Sequence, residues 1–263
     1  VGAPTDREGH LVSHRLARFG ITALGVGALL TPVAAAAPAS ASATTSGSLI
    51  RASGQHSSNW SGYGLAGSFS AVTGSWVVPT ATPSAATTYA STWIGIDGLA
   101  NRNLIQTGTE SDVINGVVHY DAWWEVLPAA ETVIAKLTVS PGDHMTAAIT
   151  RGVGKKWTIS LTDTTSGASF SYSRNYKGIG TSAEWIVERP QIGRTLATLT
   201  NYGSTTFTGL TANGSIPGLV PSEAISMVGD AGTNVISTPS APSARGDAFA
   251  VAYGPFVPTA PAG

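Results

Sequence analysis

From Asn59 to Tyr253 the chain is a succession of short segments rich in Val, Ile, Thr, Trp and Tyr, divided by clusters of Gly, Pro, Ser and Asn. That alternation predicts a many-stranded antiparallel sandwich or barrel, and no stretch sustains a helical period. Turn signals fall at Pro141-Gly142-Asp143, Thr165-Ser166-Gly167, Asn213-Gly214 and Pro217-Gly218. Neither an internal repeat nor a linker divides the region, so the pattern predicts one all-β domain over residues 59–254, followed by a loose Pro/Ala-rich tail at 255–263.

Successive side chains of a strand point to opposite faces, so parity sorts each strand. Over Val117 to Leu127 one face carries Val118, Tyr120, Ala122, Trp124 and Val126, a core face. The other carries His119, Asp121, Trp123, Glu125 and Leu127. Two carboxylates bracketing an indole suit the floor of a polar cleft with an aromatic wall; a surface strand with a chance Trp is the plainer reading. Over Ser182 to Glu188, Glu184, Ile186 and Glu188 share a face opposite Ala183, Trp185 and Val187. Over Leu104 to Glu110, Leu104, Gln106, Gly108 and Glu110 stand opposite Ile105, Thr107 and Thr109. Gln106 among apolar neighbours needs a partner if buried.

The N-terminal region reads differently. Arg15 and Arg18 precede a Gly/Ala/Leu run, and Ala39-Ser40-Ala41 and Ala41-Ser42-Ala43 have the small-x-small form of a cleavage site. This predicts a signal peptide over residues 1–43, hence a secreted, extracellular protein, with a flexible Ser/Thr/Gly-rich leader at 44–58. A membrane-spanning helix is the competing reading of roughly 20 apolar residues, opposed by Pro32, Pro38 and the cleavage-like end. After removal of 1–43, 11 Lys and Arg face 13 Asp and Glu. That balance gives no reason to expect nucleic acid, or stable association with an anionic membrane, and the chain is expected to act as a monomer. Charged residues make up 11% of the sequence, under half the usual ~25%, which limits internal repulsion when carboxylates titrate in acid. There is no cysteine, which removes disulfides, thiol nucleophiles and thiolate metal sites together.

Much other chemistry is unsupported. Histidines after residue 43 are His56, His119 and His144, without His-Glu-x-x-His or clustered ligand spacing, so no metal site is expected. Gly-x-Ser-x-Gly, Asp-Thr-Gly and Asp-Ser-Gly are missing, as is a Gly-rich phosphate loop, and no cofactor is indicated. Carboxylates, amides and aromatics remain.

Six segments, in order, are Ser57-Ser58-Asn59-Trp60-Ser61-Gly62-Tyr63, Val72-Thr73-Gly74-Ser75-Trp76-Val77-Val78-Pro79-Thr80, Trp93-Ile94-Gly95-Ile96-Asp97-Gly98, Leu104-Ile105-Gln106-Thr107-Gly108, Tyr120-Asp121-Ala122-Trp123-Trp124-Glu125 and Ala183-Glu184-Trp185-Ile186-Val187-Glu188. Together they resemble the glutamic peptidase (eqolisin) family, from about Ser57 to Tyr253. The resemblance implies an antiparallel β-sandwich of two large sheets, of concanavalin-like or jelly-roll type, with its site on a concave face. It also implies hydrolysis of polypeptide substrates in acid. It places Glu184 and Gln106 at the catalytic positions, and Trp93, Asp97, Asp121, Trp123, Glu125 and Glu110 at positions that line or support the cleft. Glu110 stands where an aspartate is expected and Leu127 where an aromatic is usual; family members with disulfides differ from this cysteine-free chain. On residue chemistry alone, Asp97 beside Gly98 also reads as a turn cap, Glu188 reads as structural, and Trp60 and Trp76 as core. A glycoside hydrolase or a carbohydrate-binding sandwich is the alternative function, and Gln106 discriminates against both, since a sugar hydrolase needs a second carboxylate near its first.

Overall fold

The computed structural model describes residues 55–262; the expected signal peptide at 1–43 and most of the stretch expected as a leader lie outside the described residues. The strands are β1 (Gln55–Ser57), β2 (Trp60–Ala66), β3 (Ala71–Val77), β4 (Ser91–Ile96), β5 (Ile105–Ile114), β6 (Val117–Val126), β7 (Thr132–Thr138), β8 (His144–Arg151), β9 (Lys156–Asp163), β10 (Ser169–Asn175), β11 (Ser182–Glu188), β12 (Gln191–Ile192), β13 (Thr195–Leu196), β14 (Ser204–Ala212), β15 (Ala224–Val228), β16 (Val235–Pro239) and β17 (Phe249–Tyr253). Gln55–Ser57, within the stretch expected as a leader, is therefore extended and runs parallel to β15.

Hydrogen bonding links the strands in the order β10-β9-β8-β3-β14-β17-β16-β15-β2-β11-β4-β5-β6-β7. The path turns back on itself, so that β3, β8 and β9 pack against β4 and β5. The result is the sandwich of two large antiparallel sheets, joined along one side through β16. Period-two sequence explains each leaf. Met145, Ala147 and Ile149 of β8 and Trp157, Ile159 and Leu161 of β9 are buried, alternating with more exposed polar residues. The tight turn between β5 and β6 is Asn115-Gly116, both at positive φ (53° and 82°), the conformation a two-residue hairpin loop demands.

Between the leaves lies an aromatic-rich core. Tyr63, Trp76, Trp157, Trp185, Phe207 and Phe249 are buried there, with Phe249 4.6 Å from Tyr63 and 5.0 Å from Phe207 between ring centroids. Trp185 Nε1 donates to the Thr73 carbonyl across the leaves at 2.7 Å. A second, smaller cluster of Trp60, Trp93, Leu104, Trp123, Ile186 and Ile225 sits apart from this core. Trp76 lies in the larger core cluster and Trp60, also buried, in the second, so both are core residues as expected. β4 and β11 are buried on both faces, one by the core and the other by this cluster. No helix among the described residues is long and apolar enough to cross a membrane.

Candidate active site

Strand register assembles the site. Glu184 of β11 pairs with Gly64 of β2 on one side and Gly95 of β4 on the other. Gly95 pairs with Gln106 of β5, and Gln106 with Glu125 of β6. Residues directly opposite in neighbouring strands share a face, so Gly64, Glu184, Gly95, Gln106 and Glu125 form one row across five strands. Glu184 and Gln106 stand two strand spacings apart, about 10 Å between Cα atoms, and the residue between them, Gly95, has no side chain of its own. The next row on the same face is Gly62, Ile186, Trp93, Gly108 and Trp123, and the one beyond is Trp60, Glu188, Ser91, Glu110 and Asp121. The face therefore alternates glycines with large or acidic groups.

Gly95 is needed there. A Cβ on it would meet Trp93 Cζ3 at 2.7 Å and a Leu104 methyl at 3.1 Å, and a Cβ on Gly64 would meet a Leu99 methyl at 2.7 Å. The indole of Trp93 thus lies over Gly95 and floors the space between Glu184 and Gln106 with a Leu104 methyl beside it, while Leu99 covers Gly64 on the far side of Glu184. Glu184 is 0% exposed and Gln106 2%. The two groups lie on one face of the sheet, and both are shut off from solvent rather than open to a groove.

Polar atoms on this face are unusually short of partners. Gln106 Oε1, Glu110 Oε1, Trp123 Nε1, Glu125 Oε1 and both carboxyl oxygens of Glu184 are buried without a hydrogen bond, each an arrangement that costs about 1–3 kcal/mol unless a bound molecule supplies the bond. Gln106 is held on its other side, its Nε2 donating to Glu125 Oε2 at 2.6 Å. This is the partner that its burial requires.

Burial dominates the electrostatics. It raises the carboxyl of Glu184 well above the usual range; the Ser182 hydroxyl offsets a little without forming a regular hydrogen bond, and the charge of Asp97 adds to the rise. Glu125 is pushed up to about 9 by burial, against the pull of the Gln106 donor. Glu188 is pushed up to about 7 by burial, offset by donors that include Asn59 and Trp93. Glu110 and Asp112 are raised by burial and by each other's neighbourhood, with Glu131 and Asp121 close by. Burial thus biases the carboxyl groups of this face toward the neutral form.

Asp97 departs from the others. It ends β4 at φ 70°, and its carboxylate accepts from Asn101 Nδ2 (2.7 Å), Tyr176 Oη (2.8 Å), Thr181 N (2.8 Å), Thr181 Oγ1 (2.8 Å) and Gly180 N (3.0 Å). Burial alone would raise its pKa, but these donors outweigh it and the net shift is downward. A carboxylate so engaged ties the β4–β5 segment to the β10–β11 segment. Gly178 packs against this knot, where a Cβ would lie 2.1 Å from Asp97 Oδ2 and 2.3 Å from Tyr176 Oη. Gly178→Ala is expected to lower stability by about 1–3 kcal/mol through overpacking, read as a fall in Tm by calorimetry; an unchanged Tm would show that the two segments are not locked together.

Of the eight residues singled out in the sequence, seven (Glu184, Gln106, Trp93, Trp123, Glu125, Glu110 and Asp121) share the face, and Asp97 sits at its edge. Parity did not reveal Asn59, Leu99, Asp112 or Glu131. The first donates to Glu188, and the last two stand beside Glu110.

Residues 58–250 match the peptidase A4 family. Aspergillopepsin-2 of Aspergillus niger is 30% identical over 224 residues, spanning 76% of this chain and 78% of that protein. Among solved structures, aspergilloglutamic peptidase from Aspergillus niger superposes with a TM-score of 0.55 at 30% identity, covering 63% of this chain and 99% of that one. Scytalido-glutamic peptidase with a transition state analogue inhibitor superposes with a TM-score of 0.61 at 22% identity, over 74% and 98%, which shows the shared fold.

Proposed function

The chain belongs to the peptidase A4 family, the glutamic peptidases or eqolisins, and on that premise we propose that it is a secreted acid endopeptidase in which Glu184 acts as general base and acid and Gln106 as oxyanion donor. The observation that carries this reading is the row of register: a carboxyl and a carboxamide flank a glycine on one face, and their unpartnered oxygens are buried together.

The steps follow from those atoms. A water between Glu184 and Gln106 gives a proton to the Glu184 carboxylate as it attacks the scissile carbonyl, and the protonated acid then passes that proton to the leaving amine. The Gln106 amide has two N–H groups; one is committed to Glu125, which leaves the other for the developing oxyanion. Glu125 is neutral in acid, so no charge beside the amide opposes the oxyanion. In the enclosed form burial keeps Glu184 protonated. Its base form thus requires that the buried site open to solvent, which readmits water and substrate together. Trp93, Trp123, Glu110 and Asp121 line the face along which an extended peptide would lie.

Gln106→Ala tests the amide's part. Casein hydrolysis in acid, with a pepstatin-like inhibitor present, should lose about 3 kcal/mol of transition-state stabilisation, on the order of 10²-fold in kcat, with KM little changed. Wild-type activity in that variant, or cleavage of polysaccharide in place of casein by the unaltered protein, would sink the assignment.

A further inference from the structure

Glu188 lies four residues beyond Glu184 on β11, on the same face, and is buried. Its Oε2 accepts from Trp93 Nε1 at 2.9 Å and its Oε1 from Asn59 Nδ2 at 2.9 Å. The other end of the same indole covers Gly95, with Cζ3 2.7 Å from where a Cβ would stand. The ring therefore runs from Glu188 to the gap between Glu184 and Gln106. Trp60 meets it edge-on, 5.1 Å between centroids at 78°, and a Cβ on Gly108 would stand 2.6 Å from Trp93 Cβ.

We propose that Glu188 is a positioning residue for peptide hydrolysis: by gripping Trp93 Nε1 it fixes the indole that floors the space between Glu184 and Gln106. The inference rests on the reading of those two groups given above. Apolar packing confines the ring, but the hydrogen bond sets its rotation. The acceptor is on the strand that carries the base, so β11 places both Glu184 and, through Glu188, the surface beneath the attacked carbonyl. Trp93 itself belongs to β4, and without this bond the floor would take its position from β4 alone. A displacement of the order of 1 Å at such a surface is enough to lower a rate by about 10²-fold.

The test is a mutant cycle on a peptide substrate in acid. Glu188→Ala should lower kcat at least about tenfold and leave KM within about threefold, the signature of a misplaced reacting centre. Glu188→Gln keeps an oxygen that accepts from Trp93 Nε1 and should retain most of kcat. In a Trp93→Phe background, Glu188→Ala should change kcat by less than about twofold, because the two residues act as one unit. Equal losses from Glu188→Ala in both backgrounds, or an unaltered kcat in the single variant, overturn the proposal. If Glu188→Ala does not fold, the cycle is run with Glu188→Met, which fills the space without an accepting oxygen, and an indole N–H resonance of Trp93 that fails to move on that substitution overturns it. The resonance reads the grip without any turnover. Activity surviving Glu184→Gln would refute the catalytic reading, whereas additivity of the cycle would refute the role of Glu188 alone.

Discussion

Glutamine in place of Glu184 is expected to lower kcat on casein by on the order of 10³-fold or more, since the variant has neither a base for water nor an acid for the amine. The same substitution should raise thermal stability once the pH exceeds about 4.5, the ordinary value for a glutamate. Glu184 is buried with no protein partner for either oxygen, so ionising it in the folded state is opposed and the native protein binds its proton more tightly than the unfolded chain does. Gln has the same shape and never ionises. Function and stability should thus move in opposite directions, the mark of a group placed for chemistry at a cost to the fold. Calorimetry and peptide kinetics on one preparation suffice. A variant that loses activity and stability together would show Glu184 to be a structural carboxyl instead.

The sequence exposed part of this arrangement, and the division is physical. The faces of β5, β6 and β11 were legible because side chains alternate with a fixed period of two, so Gln106, Trp123, Glu125 and Glu184 could be sorted without knowing any neighbour. Parity does not say which residue of one strand stands opposite which of another. That Gly95 separates Glu184 from Gln106 depends on the antiparallel offsets of β11, β4 and β5, which loops and core packing set jointly. Leu99 escaped notice because it lies between β4 and β5, where no periodicity marks a face. Asp97 read equally as a cleft residue and as a turn cap, for its main partners, Tyr176 and Thr181, lie about eighty residues away along the chain. The polar strand Gln55–Ser57 has no apolar alternation to announce it; it is extended because β15 offers it a parallel edge.

The same buried carboxyls make stability a function of pH, and the sign follows from their shifts. A carboxyl whose folded pKa is raised holds its proton more tightly in the native state, so its contribution is full below the unfolded value and is lost as pH rises through the folded one. Glu188, moved from 4.5 to about 7, should give up roughly 3 kcal/mol across that interval at 1.36 kcal/mol per unit. Glu125, moved from 4.5 to about 9, should continue the decline at higher pH, and Glu110, Asp112 and Glu184 act in the same direction. Asp97 opposes them. Its lowered pKa means that its five hydrogen bonds lose strength only when pH falls through the folded value, far enough to protonate it. Tm should therefore be greatest in mild acid, fall steeply above about pH 5, and fall again in strong acid as the knot between the β4–β5 and β10–β11 segments loosens. Glu188→Gln should flatten the alkaline limb between about pH 4.5 and 7 and Glu125→Gln the whole of it up to about pH 9, while Asp97→Asn should lower Tm most in mild acid, where the carboxylate is still ionised. A Tm that climbs from pH 5 to pH 9 would mean that these carboxyls are hydrated in the native protein, contrary to the burial of Glu125, Glu188, Glu110, Asp112 and Glu184.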